Sequence, residues 1–270
     1  MSQIADNPPL PVNLPSEPSA HTIERADLLA YLAQYLNVSQ FKDYCPNGLQ
    51  VEGTPQIRQI LCGVTASLAL IEQAIAVGAD TILVHHGYFW RGEDMRVIGQ
   101  KQRRLKLLLT HGINLLGYHL PLDAHPVVGN NAQLGQRLGI SVSRFFGDNN
   151  LGCLATLDVP LKLGELAARI ELSLARAPLV IGAPEQAIKQ VAWCTGAAQG
   201  FLQDAIDAGA DVLISGEITE HTVHLAREMG VAYIAAGHHA TERYGVRALG
   251  QHLASQFGVQ AMFADLDNPV

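Results

Sequence analysis

Cysteine is scarce in this chain. Four occur among 270 residues, at Cys45, Cys62, Cys153 and Cys194, none in a C-x-x-C pair. They read as buried thiols rather than a disulfide framework. Long apolar runs are missing too, so no segment reaches the roughly 18 uncharged apolar residues of a membrane span. The start, Met1-Ser-Gln-Ile-Ala-Asp6, lacks the basic and apolar regions of a signal peptide. The chain is therefore expected in the cytoplasm. Positive charge is short: 18 Lys and Arg against 25 Asp and Glu leave a net charge of −7. That balance opposes nucleic acid as a partner, because nonspecific affinity is built from many Lys and Arg contacts to phosphate. Gly (25) and Pro (13) are near average usage, which excludes collagen-like and low-complexity classes. No G-x-x-x-x-G-K-[ST], G-x-G-x-x-G, H-E-x-x-H or G-x-S-x-G motif occurs, so those nucleotide and hydrolase signatures are absent. What the chain does have is histidine, eleven in all.

The first 20 residues hold five prolines and no apolar period, and read as a disordered tail. From Thr22 the spacing of Leu28, Leu29, Leu32, Tyr35 and Leu36 predicts an amphipathic helix ending near Asn37. A β-rich run over 56–65, a helix over 67–77 stopped by Gly78, and an apolar run from Thr81 to Val84 then form a β-α-β unit. Such a unit implies parallel strands.

An internal repeat organises the rest. Glu72-Gln-Ala-Ile-Ala-Val-Gly-Ala-Asp80 aligns without gaps with Gln203-Asp-Ala-Ile-Asp-Ala-Gly-Ala-Asp211. Two further stretches match, each an apolar strand ending in His-x-x-x-acid: His119 to Asp123, and His238 to Glu242. The following helices also match, Ala132 to Leu138 against Arg247 to Leu253. The reading is an α/β protein of two pseudo-symmetric β-α-β halves forming one core. The first half spans 21–140 and the second 188–270, with a small α+β insert at 141–187 that carries no histidine.

Ligands of open α/β sheets bind at the carboxyl ends of the parallel strands. The repeat brings His85, His86, His119 and Asp123 to such ends in the first half. In the second half it brings Gly216, Glu217, His238 and Glu242. Imidazole with carboxylate is the donor set of borderline divalent ions such as zinc, iron, manganese or nickel. Successive strand residues point to opposite faces, so His85 and His86 would splay onto two ions. The expected arrangement has one ion on His85 and Asp123, a second on His86 and His238, and Glu242 between them. Carboxylate-bridged pairs of this kind activate water at phosphates and similar centres. His119 is the candidate for a supporting partner or proton carrier, and His125, His221, His224 and His239 are expected nearby. His21, His111 and His252 read as structural or exposed. The basic run from Lys101 to Lys106 reads as a solvated helix face.

Val84-His85-His86-Gly87-Tyr88-Phe89-Trp90, Tyr118-His119-Leu-Pro-Leu-Asp123 with Gly129-Asn130-Asn131, and Gly237-His238-His239-Ala240-Thr241-Glu242 together resemble the Nif-three-like dinuclear metal-centre proteins, bacterial branch. These are also called GTP cyclohydrolase I type 2 homologues. Asp43-Tyr44-Cys-Pro-Asn47-Gly48-Leu49 is similar to the family's opening motif, and the resemblance covers residues 22–268. It implies a toroidal homohexamer, a trimer of dimers, with two divalent ions per chain on His85, His86, Asp123, His238 and Glu242. Two classes of function stay open: a metal-dependent hydrolase acting on a nucleotide or other small molecule such as GTP, and a non-catalytic metal-delivery protein or interaction scaffold.

Overall fold

The computed structural model describes residues 21–270; the proline-rich segment 1–20 lies outside the described residues. Among the described residues, two large sheets stand beside a two-stranded antiparallel ribbon of Ile23–Glu24 and Gln56–Ile57. The five-stranded sheet has the order 260–263, 59–65, 81–86, 114–117, 48–51, with its first four strands parallel. The six-stranded sheet has the order 144–146, 152–162, 187–193, 212–215, 232–235, 179–181, parallel only across its three strands 187–193, 212–215 and 232–235. Three strands of the segment 141–187 thus lie on the second half's sheet. The last strand, Gln260–Phe263, crosses back to the first half's sheet beside Gln59–Thr65. Among the described residues, no helix is long and apolar enough to cross a membrane.

The repeated Gly-Ala-Asp has a structural cause. Gly78 and Gly209 take φ of +71° and +82° where each helix ends, a backbone region that costs glycine least. Two residues on, Asp80 Oδ2 accepts the amides of Arg58 and Gln59 at 2.9 and 3.0 Å. Asp211 Oδ2 accepts those of Lys189 and Gln190 at 2.8 and 2.7 Å. The same carboxylate clasp therefore holds the neighbouring strand just before its parallel pairing begins in each half.

The halves exchange helices. Leu134 and Leu138, on the first half's helix Asn130–Leu138, are buried with Val191, Trp193 and Ile214 of the second sheet. Val246, Leu249 and Leu253, on the second half's helix His238–Phe257, are buried with Ile60, Leu83 and Leu116 of the first. Burial of such apolar faces is the main favourable term in folding, and here it locks the carboxyl ends of both sheets together. Where the two helices cross, a Cβ on Gly245 would lie 2.2 Å from Asn130 Oδ1 and 2.9 Å from the Asn130 backbone nitrogen. Gly245→Ala must therefore push the helices apart. Overpacking of this kind costs about 2 kcal/mol, which is about 4–8 °C for a chain of this size. Thermal denaturation followed by circular dichroism checks this, and an unchanged midpoint would contradict the close crossing.

The helix expected from Thr22 runs over Arg25–Tyr35. The strand expected to stop at Val84 continues to His86, because the parallel register pairs Thr65 with His86 and the His86 carbonyl accepts the Ala66 amide at 2.9 Å. All four cysteines are free; Cys62, Cys153 and Cys194 are buried and Cys45 is half-buried.

Candidate metal centre

The strand Thr81–His86 ends with two histidines whose rings both reach Glu242. His85 is completely buried and His86 partly so, their ring centres 4.5 Å apart. His85 Nδ1 lies 3.0 Å from the Tyr118 carbonyl. A carbonyl only accepts, so Nδ1 is the donor and Nε2 is the nitrogen turned toward the carboxylates. That Nε2 faces Asp123 Oδ1 and Glu242 Oε1, each at 3.5 Å. His238 opens the long helix 238–257, and its Nδ1 contacts Glu217 Oε1 at 2.7 Å. Its Nε2 lies 3.1 Å from Glu242 Oε2, as does His86 Nε2 at 3.2 Å. His86 Nδ1 is held by the Thr65 hydroxyl at 3.2 Å.

Glu242, one helical turn after His238, therefore points one carboxylate oxygen at His85 and the other at His86 and His238. Two sets of three ligands result, His85–Asp123–Glu242 and His86–His238–Glu242, each set with its ligand atoms within 4.8 Å of one another. His85 Nε2 is buried without a hydrogen-bond partner. A buried polar atom is normally satisfied, and an orphan calls for an explanation such as an ion. Converging imidazole Nε2 atoms and carboxylate oxygens, each ring fixed from behind through Nδ1, fit a divalent cation once the rings release their Nε2 protons, since ligating histidines are held in this way.

The electrostatics of the cluster point the same way. Burial alone would lower the His85 and His238 pKa values, but the carboxylates outweigh it and raise both to about 9: Asp123 and Glu242 for His85, Glu242 and then Glu217 for His238. Burial and the neighbouring His85 push His86 down to about 3. Burial raises Asp123, more than His85 offsets. Burial would raise Glu242 also, but His85, His86 and His238 hold it well below the usual carboxylate range.

The supporting shell is only partly the one expected. His119 sits beside the cluster, its ring centre 5.0 Å from that of His85. It is held by a residue the sequence reading gave no role: Asp43 Oδ1, 2.7 Å from His119 Nδ1. Asp43 Oδ2 accepts the Leu120 amide at 2.9 Å, and Asn47 accepts the His119 amide at 2.7 Å. Burial pushes the Asp43 carboxyl up, but hydrogen bonds from His119 and Asn47 outweigh it and hold it at about 2. Asn130 donates to Asp123 Oδ1 at 2.8 Å. Of the two residues that replace the His pair in the repeat, Glu217 orients His238. Gly216 leaves room that a Cβ would take, 2.6 Å from His238 Cα.

The expectation for four other histidines is corrected. His125 Nδ1 accepts the Val127 and Val128 amides at 3.2 and 3.1 Å and its ring packs on Tyr35. His239 pairs with Asp265 at 3.0 Å, and His221 and His224 are exposed on the helix 220–229. None of the four belongs to either ligand set or to the cavity lining. His252 is structural as expected, stacked on Tyr35 and bonded to the Tyr31 hydroxyl at 2.6 Å.

A cavity of about 600 Å³ reaches the cluster, with His86, His119, Asp123, His238 and Glu242 in its lining. The profile of the Duf34/NIF3 (NGG1p interacting factor 3) family matches residues 23–269. The chain belongs to this family. A GTP cyclohydrolase 1 type 2 homolog of Pseudomonas aeruginosa is 51% identical over 250 residues, 92% of this chain and 96% of its own length. The solved structure of protein ybgI, described as of unknown function, superposes with a TM-score of 0.88 at 47% identity and covers 92% of this chain and 100% of its own. TTHA1606 from Thermus thermophilus follows at a TM-score of 0.84 and 35% identity, covering 92% and 100%. The NIF3-family fold is thus shared over nearly the whole described chain.

Proposed function

We infer that this NIF3-family chain binds two divalent ions, one in each three-ligand set with Glu242 shared, and uses them to hydrolyse a small molecule. The observation that carries this reading is the doubly facing Glu242, whose two oxygens address separate imidazole groups while the buried His85 Nε2 has no hydrogen-bond partner. Ions held there would supply Lewis-acid charge for hydrolysis near neutral pH. The protein's own groups do the remaining work. Tyr118, Glu217 and Thr65 fix the three ligating rings, and Asn130 fixes Asp123. Asp43 holds the Nδ1 proton of His119, so that His119 Nε2 is free to take up or deliver a proton in the cavity. The name of the relatives, GTP cyclohydrolase 1 type 2 homolog, makes GTP the first substrate to test.

Elemental analysis of protein loaded with zinc or manganese and freed of excess ion should give about two equivalents per chain. A saturated content of one or fewer sinks the dinuclear reading. Incubation of the loaded protein with GTP and detection of formate tests that substrate against a His86→Ala control.

A further inference from the structure

The Gly87-Tyr88-Phe89-Trp90 segment takes no part in the ligand sets, yet it is built with care. Phe89 has φ of +65°, a region that a bulky side chain adopts only under constraint and that clusters at functional sites. The segment is pinned on both sides: the Tyr88 amide donates to Gln50 Oε1 at 2.6 Å, and the Tyr88 hydroxyl to the Ala66 carbonyl at 2.7 Å. The constraint delivers Trp90 into the cavity lining, its ring centre 4.9 Å from that of His119 and 6.0 Å from that of His86. The indole N–H is already spent on the Gly87 carbonyl at 3.2 Å, so the ring offers the cavity its π-surface rather than a donor. Tyr44 lines the cavity as well, its ring faced by the Arg91 guanidinium at 5.6 Å. Phe201 comes from the second half. Its place is set by Gly147 at φ +69°, where a Cβ would meet the Phe201 ring at 2.3 Å.

Charge supplies the second constraint. Outside the ligand cluster the cavity lining carries one cation, Lys42, and one carboxylate, Asp148. Neither has an ion-pair partner among the described residues. The walls therefore sum to zero charge and hold no guanidinium, whereas recognition of a polyphosphate tail relies on several Arg and Lys clamps.

We propose that this cavity binds a planar heteroaromatic ring stacked on Trp90 and bearing at most one anionic group, which Lys42 receives. The proposal rests on the hydrolase reading above and gives it a substrate class: a nucleoside, a nucleoside monophosphate or a compound of pterin type, in place of a nucleoside triphosphate. A cavity of about 600 Å³ falls within the usual range for ligands of that size.

Trp90 fluorescence tests this. The chain has two tryptophans, and Trp193 is 1% exposed and absent from the lining, so a ligand-dependent quench lost in Trp90→Phe reports the cavity. Zinc-loaded protein of measured metal content is titrated with guanosine, adenosine, a pterin, GMP and GTP, and each dissociation constant is confirmed by calorimetry. At least one of the three uncharged rings should quench. For that ring, Trp90→Ala should weaken calorimetric binding about tenfold or more, the usual loss when a stacking ring is removed, while Trp90→Phe should stay within about threefold. GMP should lose affinity in Lys42→Ala, with guanosine unchanged. Fully metal-loaded protein that none of the three rings quenches overturns the proposal and leaves the metal reading standing. GTP bound tenfold more tightly than guanosine overturns it too. A shortfall in metal content is instead a failure of the two-ion reading and is read from the same samples before any ligand is added.

Discussion

Glu242→Gln is expected to empty both ion positions at once, reducing the metal content from about two equivalents to well below one. The substitution is isosteric, so the packing of the helix 238–257 is kept and the loss is one of charge and donor quality. Each three-ligand set contains this carboxylate: Oε1 stands 3.5 Å from His85 Nε2, and Oε2 stands 3.2 and 3.1 Å from His86 and His238 Nε2. Removing a partner that only orients a ligand costs 10–100-fold in metal affinity, so a direct ligand to both ions should cost about a hundredfold or more at each. Asp123→Asn and His238→Ala make the contrast. Each touches one set and should leave about one equivalent behind. Elemental analysis of the three variants beside the parent, with circular dichroism to verify folding, decides the matter. A full equivalent retained by Glu242→Gln would show that the carboxylate is not shared.

Much of this centre was legible because the repeat put chemistry at corresponding strand ends. His85, His86, Asp123, His238 and Glu242 all lie in one cluster, and the two β-α-β units follow the expected order. What the repeat could not show is the exchange of helices between halves, since pairing of Leu134 with Trp193 or of Leu249 with Leu83 is a matter of tertiary packing with no local signal. Asp43 was marked only as the first residue of a motif, and its role was not legible. It lies 76 residues before His119, and a lone acid near a tyrosine and a proline carries no periodicity to mark it. The Gly-Ala-Asp identity, the strongest mark of the repeat, turns out to be a strand clasp far from the chemistry. Adjacency in sequence misplaced His125 and His239, because a turn and a helix phase send their rings elsewhere.

The stabilisation conferred by bound metal should rise steeply between pH 6.5 and 9. In the metal-free protein His85 and His238 are held protonated up to about 9, against an ordinary value of 6.5. The folded state then binds more protons than the unfolded chain, so this contribution is complete below pH 6.5 and is lost as the pH rises through 9. Each ring accounts for roughly 3 kcal/mol at 1.36 kcal/mol per pKa unit. His86 works in the other direction. Pushed down to about 3, it stays neutral in the fold while the unfolded chain takes up a proton below 6.5, so stability falls again on that side. The metal-free protein should be most stable near pH 6.5. Ion binding needs the Nε2 lone pairs of His85 and His238, so each set must release one proton below pH 9. Affinity at each position should therefore rise about tenfold per pH unit across the window, with roughly two protons released per chain at pH 7. Calorimetry in buffers of different ionisation enthalpy measures that release, and metal titrations at several pH values measure the slope. In His238→Ala the release should fall to about one proton. An affinity that does not change between pH 6.5 and 9 would mean that the two rings are not ligands, whatever their position in the apo protein.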